Sequence, residues 1–300
     1  MKILFTFPGQ GGQRPGMLAA LPDREAILTQ ARAVLGNEVA TLDSADALQH
    51  TRAVQLCLLI AGVAWARELQ RQGVDPQMVS GLSIGAFPAA VIAGALDFAS
   101  ALRLVALRGD LMEQAYPEGY GLTAIMGLTR PRVEALMQGN EVYLANLNAE
   151  TQFVIAGRDE AMAEVAQLAL RAGASKAQRL AVSVPSHCAL LDKPAAELAK
   201  AFAGASLRRP WCAYLSGSTA RVLWDPQRIA DDLAMNMARP VHWQEAMVAA
   251  DERDARLAIE MPPGGVLTCL TRQAGWRGET IALERSGLDV ARHLAQRLSD

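Results

Sequence analysis

The stretch at residues 79–94, VSGLSIGAFPAAVIAG, constrains this chain more than any other part of it. Gly81-Leu82-Ser83-Ile84-Gly85 stands between a short apolar run suited to a buried strand and an apolar run suited to a helix. In a strand-to-helix turn this sharp, the residues around the serine must be small so that backbone can pass backbone, and the hydroxyl projects from the tip. Strand, elbow, helix and crossover in that order point to an α/β layer with a parallel sheet. The pattern alone is weak: at average glycine and serine usage a bare G-x-S-x-G arises in roughly one chain of this length in ten. The rest of the sequence must supply a base, a pair of oxyanion donors and a substrate anchor.

The bulk properties allow such a fold. A chain of 300 residues can hold one large domain, or a large one with a smaller insert. Hydrophobic residues make up 51% and charged residues 20%, enough for a substantial core and too apolar for disorder. A net charge of -2 and a pI near 6.1, with no Lys/Arg-rich block, argue against nucleic acid as a partner. The opening MKILFTFPGQ reads as a buried first strand, too short for a signal peptide or a membrane span, so a cytoplasmic chain without a membrane partner is expected. Cys57, Cys188, Cys212 and Cys269 are scattered, with no C-x-x-C and no paired histidines. They read as buried thiols in a reducing cytosol, and no metal site is expected.

Residues 2–7 form the first strand and end in Pro8-Gly9-Gln10-Gly11-Gly12-Gln13. Those glycines free backbone N–H groups for an anion or a developing oxyanion, or simply connect strand to helix. A phosphate cradle is disfavoured, because G-x-x-x-x-G-K-[ST] and G-x-G-x-x-G are both absent. Helical spacing covers residues 23–35, 51–72 and 87–93, and Asp97 caps a further helix that carries Arg103 and Arg108. From residue 123 the rhythm changes to strand 123–128, a Pro131-initiated helix, strands 142–146 and 153–157, helix 159–172 and strand 178–182. This β-α-β-β-α-β order is ferredoxin-like. It is read as a small subdomain, residues 123–184, inserted into a large α/β domain of residues 1–122 and 185–300. The larger rhythm resumes with helix 192–202, strand 212–215, helix 226–237, strand 257–260 and the turn Pro262-Pro263-Gly264-Gly265 into a helix. A cleft between two such lobes is a usual place for a small-molecule site.

A serine nucleophile needs a neighbouring base, most often histidine. His50 and His293 read as solvated, and His242, before Trp243, as a capping or packing residue. His187, in Val184-Pro185-Ser186-His187-Cys188, stands where the lobes join, so it is either the base or a buried structural residue. Cys188 is a second nucleophile candidate, but adjacent residues in an extended turn point apart. Arg108 is either a carboxylate anchor with a bidentate guanidinium or, like Arg103, a solvated residue on a helix face.

Several separated stretches together resemble the malonyl-CoA:acyl carrier protein transacylase family: FPGQGGQ, GLSIG, RLVALRGDLM, VIAG at 154–157, VPSHCALL, NMARPVHW and PPGGVLTCL, in family order across almost the whole chain. The resemblance implies an α/β-hydrolase-like large domain with a ferredoxin-like insert. It makes Ser83 the nucleophile and His187 the general base of a dyad, and assigns the carboxylate of the malonyl group to Arg108. It places the oxyanion hole at the backbone N–H groups of Gln10 and Ile84. A backbone carbonyl at the Asn236 position takes the place of a triad carboxylate. Malonyl-CoA is then the substrate, a carrier-borne thiol the acceptor, and no cofactor is bound.

Two positions depart from the family pattern, which has His before the nucleophile and Glu after the second Gly; here they are Leu82 and Ala86. Both bear on the rim that meets the carrier. GLSIGAFPAA is more similar to the epsilon subunit of malonate decarboxylase, which loads malonyl from malonyl-CoA onto the decarboxylase's own acyl carrier subunit, so the other decarboxylase subunits are expected partners. Arg208, Arg209, Arg272 and Arg277 are either contacts for an acidic carrier or solvated surface residues. The competing readings are a fatty-acid-synthesis transacylase, a serine thioesterase or hydrolase with water as acceptor, and a non-catalytic assembly subunit.

Overall fold

A computed structural model of the protein describes residues 1–116 and 118–299. In chain order the elements are β1 (Lys2–Phe7), α1 (Arg24–Leu35), α2 (Thr51–Arg71), β2 (Met78–Gly81), α3 (Ala86–Ile92), α4 (Phe98–Ala115), β3 (Tyr120–Met126), α5 (Arg130–Met137), β4 (Val142–Ala149), β5 (Gln152–Arg158) and α6 (Asp159–Arg171). They continue with β6 (Lys176–Arg179), α7 (Asp192–Ala201), β7 (Ala213–Leu215), β8 (Val222–Leu223), α8 (Pro226–Met235), α9 (Trp243–Glu252), β9 (Ala255–Glu260), α10 (Val266–Gln273), β10 (Glu279–Ala282) and α11 (Leu283–Ser299).

A six-stranded sheet, order β10-β9-β1-β2-β7-β8, forms the body, and all its pairings are parallel except the edge pair β7–β8. Because helices cover both faces, the central strands read as apolar runs rather than alternating ones, and β1 is buried from Ile3 to Phe7. β1 and β2 pair with Thr6 beside Ser80 and Phe7 beside Gly81, so both strands end together, one at the Pro8–Gln13 turn and the other at the Ser83 elbow. α2 is buried on most sides because α3, α4 and α1 all pack against it. Asp97 accepts a hydrogen bond from Ser100 N and so caps α4, which fixes where Arg108 enters the interior.

The second sheet is antiparallel, order β4-β5-β3-β6, with α5 and α6 on one face, the arrangement expected of a ferredoxin-like unit. It meets the body through backbone hydrogen bonds: Leu147 N donates to Val241 O and Val241 N to Ala145 O, each at 2.8 Å. The segment preceding α9 is thereby held between the two sheets.

Some elements differ from the sequence expectation. α1 begins at Arg24, because Asp23 adopts a left-handed conformation (φ 47°). The last strand of the small sheet is Lys176–Arg179 rather than 178–182. The Arg179 guanidinium donates to the carbonyls of Tyr120, Leu122, Leu180 and Val182, so a side chain serves acceptors that a longer ladder would have used. α8 stops at Met235 and tightens into a 3-10 turn at Asn236–Ala238. Cys57, Cys188 and Cys212 are buried, but Cys269 is exposed on the outer face of α10, against the expectation of four buried thiols. No helix among the described residues is long and apolar enough to cross a membrane.

Candidate active site

The elbow is as tight as its glycines allow. A Cβ on Gly81 would lie 2.0 Å from the Gly85 carbonyl carbon and oxygen, and one on Gly85 would lie 2.0 Å from Phe7 O. No side chain fits at either place. The turn forces Ser83 to φ 58°, a left-handed conformation that costs an L-residue about 1–2 kcal/mol and recurs where a reactive side chain must be held out of its strand. Gly9 sits against the elbow: its Cβ would be 2.9 Å from Leu82 Cδ2 and 3.8 Å from Ser83 Cβ. Gln10, the next residue, is therefore beside the nucleophile, and Ile84 follows Ser83 with its side chain buried.

Arg108 comes from the middle of α4 and is fully buried. Its Nη2 donates to Ser83 Oγ at 3.2 Å and to Asn236 Oδ1 at 3.0 Å. Nε and Nη1 are buried without a hydrogen-bond partner, and no carboxylate among the described residues pairs with the guanidinium. Burial alone pushes its pKa down to about 9, so it is cationic at neutral pH. A buried cation with two orphaned donors is expensive unless an anion answers it. Phe87 of α3 lies beneath, its ring centroid 5.9 Å from Arg108 Cζ.

His187 is buried at φ 65°, and its N–H donates to Met237 O at 2.6 Å. Its Nδ1 faces two carbonyls, Asn236 O at 2.8 Å and Arg239 O at 3.3 Å. Between two acceptors Nδ1 must carry the hydrogen, which leaves Nε2 with a free lone pair. Burial, reinforced by the charge of Arg108, pushes the imidazole down to about 4, against the pull of those two carbonyls. It is neutral at pH 7, the state a base requires. Among the described residues the Ser83 hydroxyl is hydrogen-bonded to Arg108 and not to His187, a looseness common at serine–histidine sites before the reacting complex forms.

Asn236 does more than offer its backbone. Its side chain accepts from Arg108 and donates from Nδ2 to Ser83 O at 3.1 Å, so one residue touches the strained elbow, the cation and the imidazole. The family resemblance implies only the carbonyl. Gln55 of α2 was not singled out at all. Its Nε2 lies 3.4 Å from Gln10 Oε1 and 3.3 Å from Met112 Sδ, one turn beyond Arg108, and its Oε1 is buried without a partner. The available signal was a lone amide inside an otherwise apolar helical run.

Other expectations change. Ala86 is 4% exposed and belongs to the main core, so it is not part of a rim; Leu82 is half-buried against the core cluster that contains Leu215, Val241 and Trp243. Arg277 is paired with Asp251 and Arg272 donates to Thr280 O, whereas Arg208 and Arg209 are exposed, Arg209 lying over Trp224. Cys188 is buried with Sγ toward Pro185 O, and burial pushes its thiol up to about 11, which removes it as a nucleophile.

Comparison with known proteins identifies the family. The family model described as acyl transferase domain matches residues 4–286. The malonyl CoA-acyl carrier protein transacylase of Escherichia coli is 37% identical over 285 residues, 91% of this chain and 92% of that one. The structure of the malonyl CoA-acyl carrier protein transacylase from Coxiella burnetii superposes with a TM-score of 0.91 at 32% identity, covering 100% of this chain and 98% of that one. A type II PKS acyl-carrier protein in complex with its malonyl-transacylase gives 0.91 at 34% identity, covering 98% and 99%. A family match over nearly the whole chain, and more than a third of residues shared with a transacylase over nine-tenths of both proteins, mean that this chain belongs to the acyl transferase domain family and, within it, to the family of malonyl CoA-acyl carrier protein transacylases.

Proposed function

We propose that the protein transfers a malonyl group from malonyl-CoA, through an ester on Ser83, to the thiol of an acyl carrier protein. The observation that carries this reading is Arg108, a buried guanidinium with Nε and Nη1 unpartnered and Nη2 on the Ser83 hydroxyl. Nε and Nη1 each share an edge of the planar cation with Nη2, so a carboxylate that displaces one of the Nη2 partners is held bidentately, and the acyl group that reaches Ser83 should end in one. In this reading residues 123–184 form a ferredoxin-like insert in a large domain of residues 1–122 and 185–300.

His187 Nε2 takes the proton of Ser83 Oγ as the oxygen attacks the thioester carbon. The developing oxyanion accepts from Gln10 and Ile84 N–H, where loss of one donor typically costs about 3–4 kcal/mol of barrier. The tetrahedral intermediate collapses, the C–S bond breaks, and the proton held by His187 leaves with the CoA sulfur. In the second half the carrier thiol gives its proton to His187 and its sulfur attacks the ester carbon; Ser83 Oγ leaves and recovers that proton. The Asn236 carbonyl keeps Nδ1–H in place in both halves. No resident cofactor enters; CoA and the carrier's prosthetic thiol are donor and acceptor.

For the acceptor we favour the carrier subunit of a malonate decarboxylase, with that enzyme's other subunits as partners, on the GLSIGAFPAA pattern. A fatty-acid-synthesis carrier fits the site geometry equally well. A general hydrolase fits less well, because a buried cation serves a charged acyl group rather than water. The test is to incubate the protein with malonyl-CoA and follow the mass of the intact chain, then add each carrier in turn. A malonyl adduct on Ser83 that waits for a thiol and discharges faster to the decarboxylase carrier is expected. Steady release of malonate without acceptor would replace transferase by hydrolase, and faster discharge to the other carrier would move the protein to fatty-acid synthesis.

A further inference from the structure

The loop that carries Gln10 has glycine at positions 9, 11, 12 and 16, with Gly11 at φ 128° and Gly16 at φ 74°. Such a segment has the largest conformational freedom to lose, yet an oxyanion donor must be held to a fraction of an ångström. Its far end is tied down where Gly16 N donates to Asp43 O at 3.0 Å and Leu18 N to Asp43 Oδ2 at 2.8 Å. Near the donor, Gly12 lies on the 262–265 turn: a Cβ there would be 3.1 Å from Pro263 O.

Glu284, in the first turn of α11, joins these parts. One carboxylate oxygen is paired with Arg14 Nη2, and the other accepts from Gly264 N at 2.5 Å. Its turn is separated from the rest of α11 by Gly287, at φ 80°. The bridge borders a cavity of about 330 Å³ lined by Met17, Trp65 and Leu288, so packing beside it is incomplete. Beside the close approach of Gly12 to Pro263, the carboxylate adds a polar tie that joins the oxyanion loop, the second glycine turn and the C-terminal helix.

We propose that Glu284 is a positioning residue for acyl transfer: through Arg14 and Gly264 N–H it holds the Gln10 loop where the Gln10 backbone N–H meets the oxyanion. This rests on Gln10 being an oxyanion donor in the function proposed above. Displacing such a donor lowers the rate of the step that develops the oxyanion without weakening the ground-state complex.

The experiment measures single-turnover malonylation of Ser83 from malonyl-CoA, the KM for malonyl-CoA and the melting temperature, in Glu284→Ala, Glu284→Gln, Arg14→Met and the double variant with alanine. Glu284→Ala should slow acylation about ten-fold or more with KM within about two-fold. Glu284→Gln, which keeps an acceptor for Gly264 N–H, should recover part of the rate. Arg14→Met should slow it too, and should add less than about two-fold to the alanine variant, since both act through one link. Arg14 is 57% exposed, so its replacement leaves a folded protein to measure even where a Glu284 variant does not fold. Unchanged acylation in Arg14→Met and Glu284→Ala overturns the proposal and leaves the function standing. So does a parallel change in rate, KM and melting temperature that glutamine does not relieve. No adduct on Ser83 in the unaltered protein removes the function and this proposal together.

Discussion

The Arg108 guanidinium rests on the Ser83 hydroxyl, Nη2 to Oγ 3.2 Å, so the group that would select the acyl chain and the group that would carry it are in direct contact. In the proposed function selection and chemistry are then coupled: an acyl group that engages Arg108 would be placed at the Ser83 hydroxyl.

Replacing Arg108 with methionine should separate selectivity from stability. Charge-assisted hydrogen bonds to a carboxylate contribute about 1.5–3 kcal/mol, so malonyl transfer should fall roughly ten- to a hundred-fold and the gap to acetyl should narrow. Because Arg108 is a buried cation with two unpartnered donors, the variant should melt no lower than the parent. Competition between malonyl-CoA and acetyl-CoA, with a thermal melt alongside, checks both parts.

The pH dependence should follow His187. Its folded pKa, about 4, lies below the ordinary 6.5, so between these values the unfolded chain binds a proton that the folded chain does not. This contribution to stability is complete above pH 6.5 and is lost as the pH falls toward about 4. The acid limb of Ser83 acylation should have its midpoint near 4 as well. Removing the Arg108 charge should move that midpoint upward. A rapid-quench pH profile decides, and a midpoint at 6.5 in the parent would count against the buried-base description.

Asn236→Ala deletes two side-chain hydrogen bonds and leaves the carbonyl that faces His187. Acylation should slow by about ten-fold, and stability should drop by about 1–2 kcal/mol as Ser83 O and one Arg108 donor lose partners. Urea unfolding and burst kinetics on the same preparation measure the two effects, while the acid limb set by His187 should stay in place.

The elbow itself can be read from stability. Ser83→Gly should be more stable than Ser83→Ala by about 1 kcal/mol, because glycine accepts the left-handed conformation that alanine, like serine, must strain to adopt. Gly85→Ala should cost more than about 4 kcal/mol, since the new Cβ meets the Phe7 carbonyl, which is backbone and cannot swing aside. Chemical denaturation of the three variants tests the order.

Thiol chemistry should distinguish Cys269 from the rest. It is the exposed cysteine, while burial pushes Cys188 up to about 11 and Cys212 to about 12. An aromatic disulfide reagent should titrate one thiol in the folded protein, and Cys188→Ala should retain Ser83 acylation. Rapid reaction at Cys188 would contradict its burial.

Much of the architecture was legible because its causes are local. The apolar run of β1, the Asp97 cap and the change of rhythm at the small sheet each depend on a few neighbouring residues. Where a distant group intervened, the reading slipped: the Arg179 guanidinium shortens β6 by serving carbonyls on β3 and beyond. Ala86 departs from the family pattern, which puts it at the rim in the sequence reading, but the helix it opens turns that position into the core.

By itself the sequence determined the elbow, since small residues two positions either side of Ser83 are a steric requirement written into five consecutive residues. It also determined the two-sheet α/β plan, which follows from periodicity. Only the tertiary structure decided what surrounds the serine. Arg108 lies 25 residues from Ser83, and Asn236 lies 128 from Arg108 and 153 from Ser83. The orphaned donors of Arg108, the triple contact of Asn236, the amide of Gln55 and the Glu284 bridge arise from how separate elements pack. Whether a buried polar group is paired or left unpaired is a property of its neighbours in space, and the order of residues along the chain does not state it.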